Sequence, residues 1–316
     1  MRLLITALIA TFFTFAFSVN VFAQDTAPIL KAKSCSDKGV WLQVLGSGGP
    51  ELQDKHASSG YLVMINGKAR ALIDLGGGAA MRFGQAGANM ADLDVIAFSH
   101  FHVDHSAGLP VLVKSGFFEG RKTDLPVFGP TGNDFMPTTI EFLDSIFGGK
   151  SGGFRYLSGY LKGHPDSSYK LVPNDIDVKN MSVVTVFEND RLKLSAIPVK
   201  HGPLPALAWR VDVGDKSVTF SGDMNGSAHT LEKLAKDSDI LVAHNAIPQG
   251  ATGFGRKLHM PPSVIGQIAK TANPSQLVLS HRMTRSFGQE KQTLSEIKKS
   301  YQGKTSFADD LDCFQP

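Results

Sequence analysis

The stretch Val95-Ile96-Ala97-Phe98-Ser99-His100-Phe101-His102-Val103-Asp104-His105 decides how this chain is to be read. Its first four residues are apolar, and so short a run of β-branched and aromatic side chains reads as a buried strand. Side chains two apart on extended backbone point the same way, so His100 and His102 can share one metal ion. Where the chain then turns into a helix, Asp104 and His105 are redirected and serve a second ion beside the first. Four ligand-type residues packed this closely make a poor match to a polar helix cap that merely happens to hold three histidines.

Outward from this stretch, short runs rich in Val, Ile and Leu alternate with helical patterns. Strands are expected at Val40 to Leu45, Gly60 to Ile65, Ala69 to Asp74, Val183 to Phe187, Leu192 to Val199, Ala208 to Val213, Ser217 to Phe220, Ile240 to Ala243 and Leu277 to Ser280. Helices are expected at Gly78 to Asn89, His105 to Lys114, Thr138 to Phe147, Ala228 to Lys236, Pro262 to Thr271 and Glu290 to Ser300, with Pro261 and Pro262 suited to a first turn. Such alternation points to two sheets flanked by helices. Phe147 to Asn174, rich in Gly, Ser and Tyr and without a period, reads as a mobile loop or short insertion that can wall a substrate site.

A length of 316 residues suits one large α/β domain, and the 19% of charged residues excludes a disordered body. Met1 to Ala23 carries Arg2, an apolar run from Leu3 to Phe17, and Val21 and Ala23 at the positions a signal peptidase reads. Residues 1–23 are therefore expected to be a signal peptide and 24–316 the catalytic domain, in a periplasmic or secreted enzyme without lasting membrane association; an uncleaved anchor is the alternative. Without Arg2 the chain carries 31 Lys+Arg against 29 Asp+Glu, a balance of +2 that gives no case for polyanion binding. The two cysteines, Cys35 and Cys313, read as one possible disulfide in an oxidising compartment.

His100, His102, Asp104 and His105 meet the His-x-His-x-Asp-His signature, by which the chain resembles the metallo-β-lactamase superfamily. Further positions follow in the family's order: Lys200-His201-Gly202, Phe220-Ser221-Gly222-Asp223 and Leu279-Ser280-His281. The resemblance implies a single-domain, four-layer αββα sandwich holding two divalent metal ions, expected to be Zn2+. It implies His100, His102 and His201 on one ion, Asp104, His105 and His281 on the other, and Asp223 between them. Asp74, before Gly76-Gly77-Gly78, resembles the aspartate that props up the metal loop; a helix N-cap or turn aspartate is the other reading. Leu45 to Pro50, Phe128 to Gly132 and Ala308 to Leu311 resemble the branch that contains transfer-RNA 3'-processing nucleases and related secreted arylsulfatases.

The same branch places a histidine by the scissile group, matched by His259 in Leu258-His259-Met260-Pro261-Pro262, where an imidazolium could steady negative charge or protonate a leaving group. Asp104 and His259 are thus the expected catalytic residues. Where the nucleases carry His-Glu-Ala-Thr, this chain has His244-Asn245-Ala246-Ile247, and Asn245 cannot take up a proton. His244 is expected as a buried, hydrogen-bonded neighbour, and His56, His164 and His229 as surface or loop residues. Arg282 and Arg285 either hold an anionic oxygen pair or lie on a solvated face. The resulting expectation is a hydrolase of small anionic esters, aryl sulfates or phosphodiesters, that uses a metal-activated hydroxide and has no nucleic-acid partner. The alternatives are a lactonase or β-lactamase-type enzyme, a transfer-RNA-processing endoribonuclease, or a non-catalytic metal-binding module.

Overall fold

Inner strands that are apolar on both faces build the layers. In the computed structural model, which describes residues 35–164 and 167–316, β1 (Val40–Gly46), β2 (Gly60–Ile65), β3 (Lys68–Leu75), β4 (Val95–Ala97), β5 (Leu125–Pro130) and β6 (Leu171–Ile176) form one sheet. The second holds β7 (Val184–Glu188), β8 (Lys193–His201), β9 (Leu204–Val213), β10 (Lys216–Phe220), β11 (Ile240–His244), β12 (Gln276–Ser280) and β13 (Lys304–Phe307), while β14 (Cys313–Phe314) returns to pair with β1. The expected signal segment lies outside the described residues, and among these no helix is long and apolar enough to cross a membrane.

Successive strand side chains face opposite ways, and the core divides accordingly. Leu42 and Val44, Tyr61 and Val63, Ala71 and Ile73 of the first sheet pack against Leu207, Trp209, Val211, Val218, Phe220 and Val242 of the second. Their neighbours Leu62, Met64, Leu72 and Ile96 face outward onto Phe83 of α1 (Ala79–Gln85), Leu112 and Val113 of α3 (Leu109–Gly116) and Leu143 of α4 (Thr139–Phe147), α2 being the short Val103–Ser106 turn. On the far side, Ile197, Val199, Ala206 and Ala208 meet α6 (Leu231–Leu234), α8 (Pro262–Ala272) and α9 (Glu290–Lys298); α5 (Gly159–Lys162) and α7 (Gly253–Leu258) lie outside this packing. The result is the four-layer αββα sandwich of a single domain, as expected.

Local signals account for the helices. Thr138 and Glu141 cap α4 reciprocally, and α8 opens on Pro262 and stops at Asn273, which takes a left-handed φ of 53°. Its buried Ile265, Ile268, Ala269 and Ala272 recur at helical spacing. The single helix expected from His105 to Lys114 is instead two, broken at Gly108, whose amide bonds the Leu75 carbonyl at 2.8 Å. Phe147 to Asn174 is not a plain loop: it holds a 3-10 turn at Arg155–Leu157, then α5 and the start of β6. Prolines 126, 130 and 173 hid β5 and β6 from a pattern-based reading.

Cys35 and Cys313 are joined in a disulfide with Cα atoms 5.7 Å apart, and Cys313 sits opposite Gln43 in the β14–β1 ladder. The bridge closes a loop of 278 residues, so it ties the described chain end to end; the loop-entropy picture bounds its contribution at about 5 kcal/mol.

Candidate metal centre

The donor residues gather where strands end. β3 and β4 run parallel, as do β10, β11 and β12, and in such sheets ligands bind beyond the carboxyl ends. Asp74 is the penultimate residue of β3, and His100 and His102 follow β4. In the second sheet His201 closes β8, Asp223 follows β10, His244 closes β11 and His281 follows β12.

Two donor groups result, each with its ligand atoms within 4.8 Å of one another: His100, His102, His201 and Asp223, and His105, Asp223, His244 and His281. Asp223 belongs to both. Its Oδ2 lies 3.7 Å from Nε2 of His105 and of His201, and its Oδ1 lies 3.4 Å from His281 Nε2. Asp104 joins the second group, its Oδ2 standing 3.2 Å from His281 Nε2 and 3.7 Å from His105 Nε2. Bonds of about 2.0–2.1 Å to a tetrahedral ion would set neighbouring donors roughly 3.3 Å apart, close to these separations. All seven sequence-expected ligands are therefore brought together.

The orientation of the rings fits an ion as well. His105 Nδ1 donates to Asp74 at 2.8 Å, His201 Nδ1 to the Leu258 carbonyl at 3.0 Å, and His100 Nδ1 to Ser99 Oγ at 3.0 Å. Each ring thereby turns Nε2 inward, and these three buried Nε2 atoms have no hydrogen-bond partner. Burial, reinforced by the neighbouring His105, holds His100 well below the usual imidazole range, leaving its lone pair free. Against burial, Asp74 and Asp104 push His105 well above that range, and Asp223 with the Asp104 hydrogen bond raises His281. Buried carboxylates that draw protons onto their own imidazoles create the electrostatic demand that a cation satisfies.

Asp74 takes the propping role rather than that of a cap. Its Oδ1 accepts the Ser99 amide at 2.7 Å, and its Oδ2 accepts Ser99 Oγ at 2.7 Å together with His105. It does so from a left-handed φ of 55°, and His281 likewise has φ 51°, strain of the kind found at functional sites. Asp74→Asn would set an amide N–H against two donors and is expected to weaken metal affinity roughly 10–100-fold while the fold persists. Chelator competition reads this, and unchanged affinity would remove Asp74 from the role.

His244, expected as a hydrogen-bonded neighbour, donates from Nδ1 to Asp223 Oδ1 at 2.7 Å, while Tyr61 links its other side to Ser280. The buttress formed by Tyr61, Ser280, the Leu258 carbonyl and Ser221, whose Oγ accepts the His244 amide at 3.1 Å, was missed; its one sequence signal is that Ser221 and Ser280 each stand beside a ligand strand end. His259 is nearly buried, with Nδ1 3.7 Å from Asp223 Oδ2 and its ring 5.4 Å from that of His201. Burial, outweighing the pull of Asp223, lowers it to about 3, which favours a neutral imidazole over the imidazolium. Arg282 serves neither expected purpose: it is buried, ion-paired with Glu290 and stacked over Phe287 and Phe307 at 4.2 and 4.7 Å. Arg285 is exposed and donates to the Ala246 carbonyl at 2.8 Å. His56 pairs with Asp309, and His229 is an exposed partner of Glu232.

The family model Beta-lactamase superfamily domain matches residues 159–282, and the model Anti-Pycsar protein Apyc1 matches residues 40–133. Ribonuclease Z of Methanosarcina mazei is 28% identical over 280 residues, covering 76% of this chain and 87% of that one. The metallo-beta-lactamase fold protein YhfI of Bacillus subtilis superposes with a TM-score of 0.65 at 20% identity, covering 87% of this chain and 98% of that one. The short form of human tRNase Z does so at 0.66 and 17%, with the same coverage. The fold and the donor set are those of a metallo-β-lactamase fold hydrolase, and residues 159–282 match the beta-lactamase superfamily domain. Within that superfamily, the ribonuclease Z relatives are consistent with the transfer-RNA-processing branch. These relatives overturn the expectation of no nucleic-acid partner, since the curated proteins aligned along most of this chain carry the name of a ribonuclease. A charge balance of +2 was the wrong guide, because a local patch can bind phosphate whatever the whole-chain sum.

Proposed function

We propose that the protein is a binuclear phosphodiesterase that cleaves RNA, a ribonuclease Z-like endoribonuclease. The observation that carries this reading is one carboxylate, Asp223, shared by two sets of inward-turned imidazoles, in a chain whose relatives are named Ribonuclease Z. Two divalent ions, for which an imidazole-rich donor set favours zinc, would supply a water of lowered pKa and offset charge on phosphate oxygens. His100, His102 and His201 hold one side, and Asp104, His105 and His281 the other.

His259 is the residue we assign to the leaving oxygen, as a neutral N–H donor. His259→Ala is expected to slow RNA cleavage, which expels a poor ribose alkoxide, by about 100-fold or more, yet to spare nitrophenyl esters, whose leaving group needs no such help. Equal losses on both would remove His259 from this task. Asn245 bears on how the leaving group is served, not on whether a phosphodiester binds.

Metal-replete protein should hydrolyse bis(p-nitrophenyl) phosphate, an oligoribonucleotide and a transfer-RNA precursor faster than nitrophenyl sulfate, a lactone or a β-lactam chromogen. Faster turnover of sulfate, lactone or lactam would overturn the proposal. We include export in the reading: the signal-like residues 1–23 and a disulfide both suit an oxidising compartment. N-terminal sequencing of the exported protein should then begin at Gln24, and a retained Met1 would argue otherwise.

A further inference from the structure

A hollow of about 510 Å³ opens away from the metal centre, between the C-terminal end of α3 and the segment of the 3-10 turn and α5. Lys114, Phe117, Tyr156 and Lys162 line it, and Phe118 stands beside Phe117 with ring centroids 5.1 Å apart. These aromatics are not core residues: Phe117 is 55% exposed, Phe118 75% and Tyr156 69%. Lys114 Nζ hovers 4.7 Å from the Phe117 ring and 5.1 Å from that of Phe118, so a cation and two π-faces share one spot. Grouped exposed aromatics in a soluble protein mark a contact surface.

We propose that this hollow docks a single-stranded flank of the RNA substrate, a statement that rests on the RNA-cleaving reading above. Aromatic rings that stack bases, interleaved with ammonium groups that meet phosphates, are what sequence-tolerant binding of single-stranded nucleic acid requires. The hollow is concave and of a size that holds a small-molecule-like group such as a base, unlike the convex wedge that would enter a lipid surface. Its helix also leads back to the catalytic end. α3 begins four residues after His105, and its eight residues span about 12 Å, so a strand held at Lys114 reaches the metal centre within a few nucleotides.

The test compares the full mature chain with two double variants, Phe117→Ala/Tyr156→Ala and Lys114→Ala/Lys162→Ala, on a fluorescein-labelled twelve-residue oligoadenylate and on bis(p-nitrophenyl) phosphate. Both variants should bind and cleave the oligonucleotide with Kd and KM raised roughly tenfold or more, with kcat and small-ester turnover unchanged. Loss of the two lysines should also flatten the plot of log affinity against log salt by roughly 1.4. Unchanged Kd and KM in both variants, while wild type cleaves RNA, would overturn the docking site alone. So would loss of binding to anionic phosphatidylglycerol vesicles with RNA cleavage intact, which would assign the hollow to lipid. A wild-type protein that hydrolyses the small ester but neither binds nor cleaves RNA would overturn the docking site and the RNA reading together.

Discussion

Asp223→Ala is expected to empty both metal positions at once and to abolish hydrolysis, because Asp223 is common to the two donor groups. The loss should exceed the roughly 10–100-fold that removal of a supporting residue costs. It should not unfold the protein. Asp223 is flanked by His105, His201, His259 and His281 within 3.7 Å, and imidazoles that lose a carboxylate can stand neutral, so little buried charge is stranded. The donors also rest on strands whose core lies between the sheets, away from the site. Elemental analysis should find two ions per wild-type chain and none in the variant, with matching far-ultraviolet circular dichroism. A variant that keeps two ions and full turnover would remove Asp223 from the shared role, and a wild-type chain that holds fewer than two ions would end the binuclear reading.

Gly76→Ala should instead damage the scaffold. A Cβ at Gly76 would sit 2.0 Å from the Asp104 carbonyl oxygen and 2.6 Å from both its carbon and Ser58 Cβ. The first two obstacles are backbone, so no rotamer change relieves them, and Asp104 belongs to the metal loop itself. Overpacking typically costs about 1–3 kcal/mol, and a backbone clash at a ligand belongs at or above the upper end. We expect a clear fall in the urea midpoint together with weakened metal retention. Gly77→Ala makes the control, since its Cβ would meet only Ser58 Oγ at 3.5 Å. Equal stability of the two variants would show that the metal loop yields more easily than its packing implies.

Much of this was legible in the residues. Short continuous apolar runs located the inner strands, and Gly60–Ile65 agrees to the residue, because strands buried on both faces leave little room for other side chains. The run from His100 to His105 announced the metal loop through ligand chemistry that few other contexts need. Edge elements escaped: β13 is half-exposed and β14 is two residues long, so neither carries a hydrophobic signature. The protonation of His259 was also beyond reach, since it turns on how deeply the fold buries the ring. The expectation of no nucleic-acid partner erred for a related reason: net charge averages over the whole surface and says nothing of a local patch.

His100, His102, Asp104 and His105 leave one sheet, while His201, Asp223 and His281 leave the other. Ions seated among them would therefore act as rivets across the sandwich seam, and their binding energy would be spent on keeping its two halves in register. The open edge of the sandwich is then a built-in gauge of occupancy. Amides around the ends of β4 and β12 should exchange with solvent more slowly once the ions are in place, whereas those at β14, four strands from β4 at the far margin of its sheet, should exchange at the same rate with or without them.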